Sequence, residues 1–134
     1  MTNDRGPTVG VGAVAVRGGT ILLVRRGKPP YVGHWTLPGG TVSWGEPLAD
    51  ALCREVMEET GLEVTVKDLA GHLESISEDG SHHYVILDYR VEVIGGNLRA
   101  AGDVTDARWV PFEEVSTLQT TPRLIQFLQE FGVM

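Results

Sequence analysis

The stretch from Gly40 to Leu62 decides the fold and reads GTVSWGEPLADALCREVMEETGL. Pro47 suits the first position of a helix, where its missing N–H costs little, and Gly61 suits the position just beyond a helix end. Between these two residues, apolar side chains recur at every fourth position: Leu48, Leu52 and Val56. This spacing predicts one amphipathic helix whose apolar stripe faces a core.

The same predicted helix carries Glu55, Glu58 and Glu59, whose spacing places three carboxylates on one face. Like charges at this spacing repel each other, and the last turns of a helix already disfavour negative charge. Arg54 is the only basic residue of the run and lies four residues before Glu58. Oxygen ligands on a rigid helix suit Mg²⁺ or Mn²⁺ rather than zinc. The alternative interpretation is an acidic, solvated face of a surface helix.

Nine positions of this stretch match, at fixed spacing, the signature of the Nudix hydrolases, and the chain therefore resembles that family. The matching residues are Gly40, Glu46, Arg54, Glu55, Val56, Glu58, Glu59, Gly61 and Leu62. The preceding loop also looks like the loop that enters this signature, through Trp35, Leu37, Pro38 and Gly39. The resemblance covers roughly residues 9–110, and the signature is its specific part.

Composition limits the class of protein. The 134 residues, 42% of them hydrophobic, suit a single domain, 1–134, with its own core. The net charge of −7 argues against binding to a nucleic acid polymer or an anionic membrane surface. No apolar run approaches the roughly 20 residues that span a bilayer. The polar N-terminus lacks a signal-peptide pattern, so we expect a cytoplasmic protein.

Elsewhere, hydrophobic periodicity predicts strands that alternate with two main helices. The predicted strands are 9–16, 20–24, 64–66, about 69–76, 82–93 as the longest, and 108–111, with turns at 18–19, 78–81 and 95–97. Residues 112–115 are predicted to form a turn of helix, a last helix to start at 121–122, and residues 1–7 to form a loose tail. A mixed β-sheet between helices would bury both helices, in agreement with the α/β (α+β) class and the α/β/α sandwich that the Nudix resemblance implies.

The resemblance also implies roles for residues around the predicted helix. The resemblance implies that the Gly39 carbonyl and the side chains of Glu55, Glu58 and Glu59 hold the metal. Glu46 and Arg54 pair to hold the loop against the helix. The catalytic candidates are Glu55, Glu58 and Asp103, and either Glu55 or Asp103 is the general base, with Asp106 as the fallback. Asp103 replaces the more frequent Glu and is one methylene shorter.

Three basic residues within four positions, Arg25, Arg26 and Lys28, stand out in an acidic chain. They are either solubilising loop charge or a phosphate clamp opposite the acidic helix, and the resemblance favours the clamp. Trp35 and Gly40 are further candidates for substrate contact. Trp35 could stack on a base, and a glycine such as Gly40 lets the backbone approach a ligand closely. Trp35 could instead cover an edge of the core.

The resemblance implies a metal-dependent enzyme that hydrolyses the diphosphate linkage of a nucleoside diphosphate joined to another moiety. The flanks RRGKPPYVGHWTLPGG, HHYVILDY and DARWVP resemble small members described as ADP-ribose pyrophosphatases, which release AMP and ribose 5-phosphate. Two alternatives stay open: a MutT-like nucleoside triphosphate pyrophosphohydrolase and a noncatalytic nucleotide-binding module. The expected cofactor is Mg²⁺, with Mn²⁺ as the alternative, and the expected partner is a small nucleotide. The oligomeric state stays open, although homodimers are common in the family.

Overall fold

A computed structural model describes residues 6–134, so the first five residues of the predicted tail lie outside the described part. The strands are β1 (Thr8–Val14), β2 (Val16–Arg17), β3 (Thr20–Arg26), β4 (Trp35–Thr36), β5 (Gly39–Thr41), β6 (Leu62–Ile76), β7 (His83–Gly96) and β8 (Val104–Pro111). The helices are α1 (Leu48–Thr60), α2 (Phe112–Val115) and α3 (Leu124–Glu130). Of the helices in residues 6–134, none is long and apolar enough to cross a bilayer.

The strands form two four-stranded sheets. The first has the order β5-β1-β7-β6, with β1 parallel to β7 and its other pairs antiparallel. The second is antiparallel and joins β2, β4 and β8 to β3. The predicted mixed α+β architecture is therefore confirmed, although the strands divide between two sheets instead of forming one.

The two main helices lie on opposite sides of the first sheet. Alternate residues of a strand point to opposite faces, and β1 accordingly contributes to two cores. Ala13 packs in one core with Leu52 and Val56 of α1, whereas Val14 packs in the other with Phe127 of α3. This layering agrees with the predicted sandwich and leaves the acidic face of α1 free to form a site.

Helix α1 begins and ends close to the predicted positions. Pro47 is its cap, in an extended conformation, one residue before the first helical residue, so the predicted start was early by one. Gly61 ends the helix as predicted: it takes the left-handed conformation (φ 72°), and its N–H donates to the Met57 carbonyl at 2.9 Å. The buried stripe includes Leu52 and Val56 and fixes which face of α1 remains exposed.

Several predicted strand limits were wrong. The two strands expected at 64–66 and 69–76 form the single strand β6, which is irregular around Leu69 and, at 15 residues, is longer than the 14-residue β7. Gly95 and Gly96 do not turn the chain but pair with the start of β6. Helix α3 begins at Leu124 rather than at 121–122, because Arg123 before it has a left-handed backbone (φ 74°). The strand predicted at 108–111 starts already at Val104.

Candidate active site

The exposed face of α1 carries glutamates and, beside them, Arg54. Arg54 lies between Glu55 and Glu58, with its Nη1 at 2.8 Å from Glu55 Oε1 and 3.4 Å from Glu58 Oε1. The Glu55 side chain is only 16% exposed, whereas that of Glu58 is 53% exposed. Burial raises the pKa of Glu55, and Arg54 opposes this shift. One guanidinium therefore compensates part of a negative cluster that the helix end disfavours.

Arg54 also ties α1 to the loop that precedes it. Its Nε and Nη2 donate to the two carboxylate oxygens of Glu46 at 2.9 and 3.0 Å, and its Nη2 donates to the Thr41 carbonyl at 3.3 Å. The hydrogen bonds from Arg54, joined by one from the Ser43 amide, lower the pKa of Glu46 to about 2. This geometry is that of the loop-to-helix pair expected for Glu46 and Arg54.

Strand β5 needs a residue without a side chain at Gly40. A Cβ at Gly40 would overlap the carboxylate of Glu55, which lies directly against the backbone of β5. Any larger residue would push that carboxylate away from its present place. Gly40 thus shapes the acidic cluster from the opposite side, and its predicted contact with substrate stays a prediction.

Glu59 faces the edge of the sheet at Gly39. The amide N–H of Gly39 donates to Glu59 Oε1 at 3.0 Å. Burial and the charge of Glu55 raise the pKa of Glu59, and the Gly39 amide and the charge of Arg26 lower it, with a net pKa of about 7. A carboxyl with this pKa gains from a cation placed beside it, because a cation stabilises the ionised form.

The three predicted clamp residues contact the loop at 27–34 and Asp103: Arg25 and Arg26 donate to the loop, and Lys28 pairs with Asp103. The charge of Arg26 lowers the pKa of Glu59. The hydrogen bond and charge of Asp103 raise the pKa of Lys28, and the charge of Glu55 adds a smaller effect in the same direction. Arg25 instead donates from Nε to the Gly33 carbonyl at 3.2 Å. The charges of Arg26 and Lys28 therefore act together with those of the glutamates, although Arg26 also donates from Nε to the Pro30 carbonyl at 2.6 Å.

Asp103, and not Asp106, lies beside the glutamates. Asp103 Oδ2 is 2.8 Å from Lys28 Nζ, and its charge raises the pKa values of Glu55 and Glu59. Asp106 instead binds Arg108 at 2.8 Å within β8. The position of the Asp103 carboxylate keeps it as a candidate base, while the fallback at Asp106 is paired away from the acidic face.

The two tryptophans of this region have opposite environments. Trp35 is 7% exposed in the core beneath α3, and the Arg108 guanidinium lies 5.0 Å from the centre of its ring. Trp44 is fully exposed. A covered indole offers little open face to a base, so the position of Trp35 favours packing, and its predicted contact with substrate stays a prediction.

The residues present fit a divalent cation by their chemistry. Glu55, Glu58, Glu59 and the Gly39 carbonyl are all oxygen donors, the class that Mg²⁺ and Mn²⁺ prefer. Within residues 6–134, no three acidic, histidine or cysteine side chains converge as a ready-made metal site. The reason lies in the contacts: Arg54 holds Glu55 and Glu58, while Glu59 accepts the Gly39 amide.

Sequence reasoning missed Asp88, which lies in the middle of β7 and is 3% exposed. Burial alone raises its pKa to about 7. The signal was present in the segment VILDYR, because an acid that directly follows an apolar run within a strand is unusual.

Comparisons with known proteins agree with this geometry. The sequence pattern of the NUDIX domain matches residues 6–131. An ADP-ribose pyrophosphatase of Methanocaldococcus jannaschii is 36% identical over 84% of this chain and 66% of its own length, just under two thirds. A candidate 8-oxo-dGTP diphosphatase of Mycobacterium tuberculosis is 39% identical over 75% of this chain and 79% of its own. The crystal structure of a MutT NUDIX hydrolase from Burkholderia pseudomallei superposes with a TM-score of 0.85 at 31% identity, covering 93% of this chain and 98% of that one.

The chain therefore belongs to the Nudix family, and the predicted resemblance is confirmed. Nudix hydrolases act on small nucleoside diphosphate derivatives and generally need divalent metal ions. The acidic face of α1 in this chain is the part of the fold that carries the family signature.

Proposed function

We propose that the protein hydrolyses ADP-ribose to AMP and ribose 5-phosphate, with Mg²⁺ as its cofactor. The observation that carries this proposal is the set of three glutamates on α1 whose charges act together with those of Arg26 and Lys28. Such a set offers both metal ligands and phosphate-binding cations. The 36% identity to an archaeal ADP-ribose pyrophosphatase favours ADP-ribose among the possible diphosphates. A cytoplasmic location and a homodimer stay predictions.

The side chains of Glu55, Glu58 and Glu59, with the Gly39 carbonyl, would hold the cation. When bound there, a divalent ion neutralises diphosphate oxygens and lowers the pKa of a nearby water. Arg26 and Lys28 bind phosphate oxygens from the other side, since a cation stabilises the charge that develops on the leaving group.

A carboxylate must also take the proton of the attacking water. Asp103 and Glu55 are the two candidates. Each forms an ion pair at 2.8 Å, Asp103 with Lys28 and Glu55 with Arg54. The water oxygen bonds to one phosphorus while the bridging P–O bond breaks, which gives AMP and ribose 5-phosphate. The proton passes to the base, and the leaving phosphate takes up the electron pair.

A second candidate is a MutT-like hydrolysis of nucleoside triphosphates. The 39% identity to the mycobacterial candidate 8-oxo-dGTP diphosphatase favours it, and the same glutamates would serve. A triphosphate would yield a nucleoside monophosphate and pyrophosphate, so the products separate the two reactions.

The test is an assay of the whole chain with Mg²⁺ and, in parallel, ADP-ribose, dATP and 8-oxo-dGTP. We expect AMP from ADP-ribose with the highest kcat/KM. Pyrophosphate from the triphosphates at a higher kcat/KM would replace the first proposal by the second. Binding of ADP-ribose without any product, unchanged by Mn²⁺, would indicate a noncatalytic module instead. The Glu58→Gln variant, assayed beside the wild type, excludes a contaminating hydrolase.

A further inference from the structure

The end of strand β3 is in direct contact with the residue that precedes β8. The N–H of Gly27 donates to the Asp103 carbonyl at 2.8 Å, and the ammonium of the next residue, Lys28, lies 2.8 Å from the Asp103 carboxylate. A Cβ at Gly27 would come within 2.8 Å of the Asp103 carbonyl oxygen and within 3.2 Å of Thr105 Cγ2. Rotation of a side chain cannot relieve a contact with a backbone oxygen, so a larger residue at Gly27 would displace Asp103.

The need for a glycine at Gly27 comes from this close approach. The φ angle of Gly27 lies outside the left-handed region, so its backbone conformation alone does not require glycine. Next to the contact, the register between β3 and β8 shifts by one residue, which leaves Thr105 as an extra residue of β8. A β-bulge of this kind changes the direction of neighbouring side chains and is common next to active sites. The glycine and the bulge together set where Asp103 lies.

The segment that carries Asp103 is also held against the end of α1. The N–H of Ala101 donates to the Glu59 carbonyl at 3.1 Å, and the N–H of Arg99 donates to the Thr60 carbonyl at 2.9 Å. The last carbonyls of a helix have no partner within the helix, so these bonds satisfy the end of α1. The same helix carries the three glutamates. Asp103 is therefore fixed relative to the acidic face from two sides, by β3 and by α1.

Of the two candidate bases, Asp103 is the one that is open to water. Its side chain is 62% exposed, whereas that of Glu55 is 16% exposed and lies against the backbone at Gly40. Burial is the main cause of the raised pKa values of Glu55 and Glu59, and the charge of Asp103 adds to both. The Asp103 carboxylate is thus near the acidic face but separate from the proposed metal ligands. An exposed acid with an anchored backbone suits a base that must meet a water there.

We propose that Gly27 and Ala101 are positioning residues, which hold Asp103 where it takes the proton of the attacking water. The inference rests on the proposed function, for which it names the base and the residues that place it. Gly27 lets the end of β3 approach the Asp103 carbonyl, and the amide of Ala101 ties the same segment to α1. Neither residue has a side chain that can transfer a proton or bind a phosphate, so both act through Asp103.

The test is a double-mutant cycle with the nucleotide that the wild type hydrolyses. Gly27→Ala should lower kcat about 10- to 100-fold and leave KM within about three-fold, because a displacement of about 1 Å can slow a reaction this much. Asp103→Asn should lower kcat by about 100-fold or more. Adding Gly27→Ala to Asp103→Asn should then change kcat by less than about three-fold, because the residue that Gly27 positions is already inactive. Gly95→Ala, whose Cβ would meet Glu63 at 3.9 Å, is the matched control and should leave kcat unaltered in both backgrounds.

An unchanged kcat in Gly27→Ala would overturn the inference, and so would an equal loss in the wild-type and Asp103→Asn backgrounds. A purely structural Gly27 gives such independent losses, together with a lower melting temperature. If Gly27→Ala does not fold, Ala101→Pro, which removes the hydrogen bond to the Glu59 carbonyl, takes its place in the same cycle and should give the same non-additive result.

The proposed function is scored separately by the product that the wild type releases. Independent losses in an enzyme that forms AMP from ADP-ribose refute only the positioning role. A non-additive cycle in an enzyme that releases pyrophosphate from triphosphates refutes only the proposed substrate. A wild type that hydrolyses no nucleotide overturns both.

Discussion

Arg54 and Glu46, eight residues apart in the chain, are joined by two hydrogen bonds of 2.9 and 3.0 Å that use both carboxylate oxygens. The same guanidinium reaches Glu55 and Glu58. The Arg54 guanidinium therefore holds the carboxylates of Glu46, Glu55 and Glu58 together, so the loop before α1 and the acidic face cannot move independently. This linkage makes Arg54 the residue through which the loop acts on the glutamates.

Replacing Arg54 by Lys should lower kcat/KM for the hydrolysed nucleotide by about 10- to 100-fold, because a lysine cannot make the two-pronged contact and the outer contacts of metal ligands carry effects of this size. Steady-state kinetics at saturating Mg²⁺ checks this. The control is Lys67→Ala, which removes the exposed pair with Glu92 at 3.3 Å and should leave kcat/KM unaltered. Equal losses in both variants would contradict a special role for Arg54.

Glu58→Gln should abolish turnover while the protein remains folded. The side chain is 53% exposed and pairs with Arg54 at 3.4 Å, so its charge is not needed for packing. Circular dichroism and thermal unfolding should match the wild type, and product formation should fall by at least about 100-fold. Glu113→Gln on α2, another exposed acid, should retain full activity. A fully active Glu58→Gln would remove Glu58 from the ligand set.

Gly40→Ala should reduce activity far more than stability. The new Cβ would overlap the Glu55 carboxylate, which is the mobile end of a side chain and can move aside, but then leaves its place on the acidic face. Gly10→Ala is the matched control on the neighbouring strand, since its Cβ meets only ordinary contacts of 3.5 and 3.6 Å. Kinetics and urea unfolding of both variants separate the two effects. An active Gly40→Ala enzyme would show that Glu55 need not lie there.

Mg²⁺ should stabilise the folded protein even without nucleotide. Cation binding favours the ionised form of Glu59, whose pKa burial raises to about 7, and a ligand at 100 times its Kd adds about 2.7 kcal/mol. Differential scanning fluorimetry with and without Mg²⁺ should therefore show a higher Tm with the ion. Glu59→Gln should lose most of this increase, whereas Glu74→Gln should keep it. A Tm that neither Mg²⁺ nor Mn²⁺ changes would contradict a metal site at these glutamates.

The stability of the metal-free protein should fall as the pH rises from about 4 to 7. Asp88 has a pKa of about 7 when folded against 3.8 as its ordinary value, so in this window the folded state keeps a proton that the unfolded state has lost. The difference costs up to about 4 kcal/mol above pH 7. Asp88→Asn should remove this part of the slope in urea unfolding with EDTA present. A slope identical in both proteins would place the Asp88 pKa near its ordinary value.

The sequence predicted helix α1, its stop at Gly61 and its acidic face well, because all three depend on spacing within one short segment. The division of the strands into two sheets was not predictable in the same way, since pairings such as Gly12 with Asp88 join residues far apart in the chain. Local periodicity also could not tell that Gly95 continues a strand, because its partner lies at the start of β6. The roles of Arg25 and Asp106 likewise depend on contacts across the fold.

The loop at 27–34 is anchored by the arginines that precede it: Arg25 Nε donates to the Gly33 carbonyl at 3.2 Å and Arg26 Nε to that of Pro30 at 2.6 Å. Each guanidinium is therefore positioned by the length of the loop it closes. An insertion or deletion there would shift positive charge relative to an unchanged row of glutamates. Loop length at this point is thus a natural variable for diverging substrate choice, and a place where directed evolution can retune selectivity without disturbing the hydrolytic machinery.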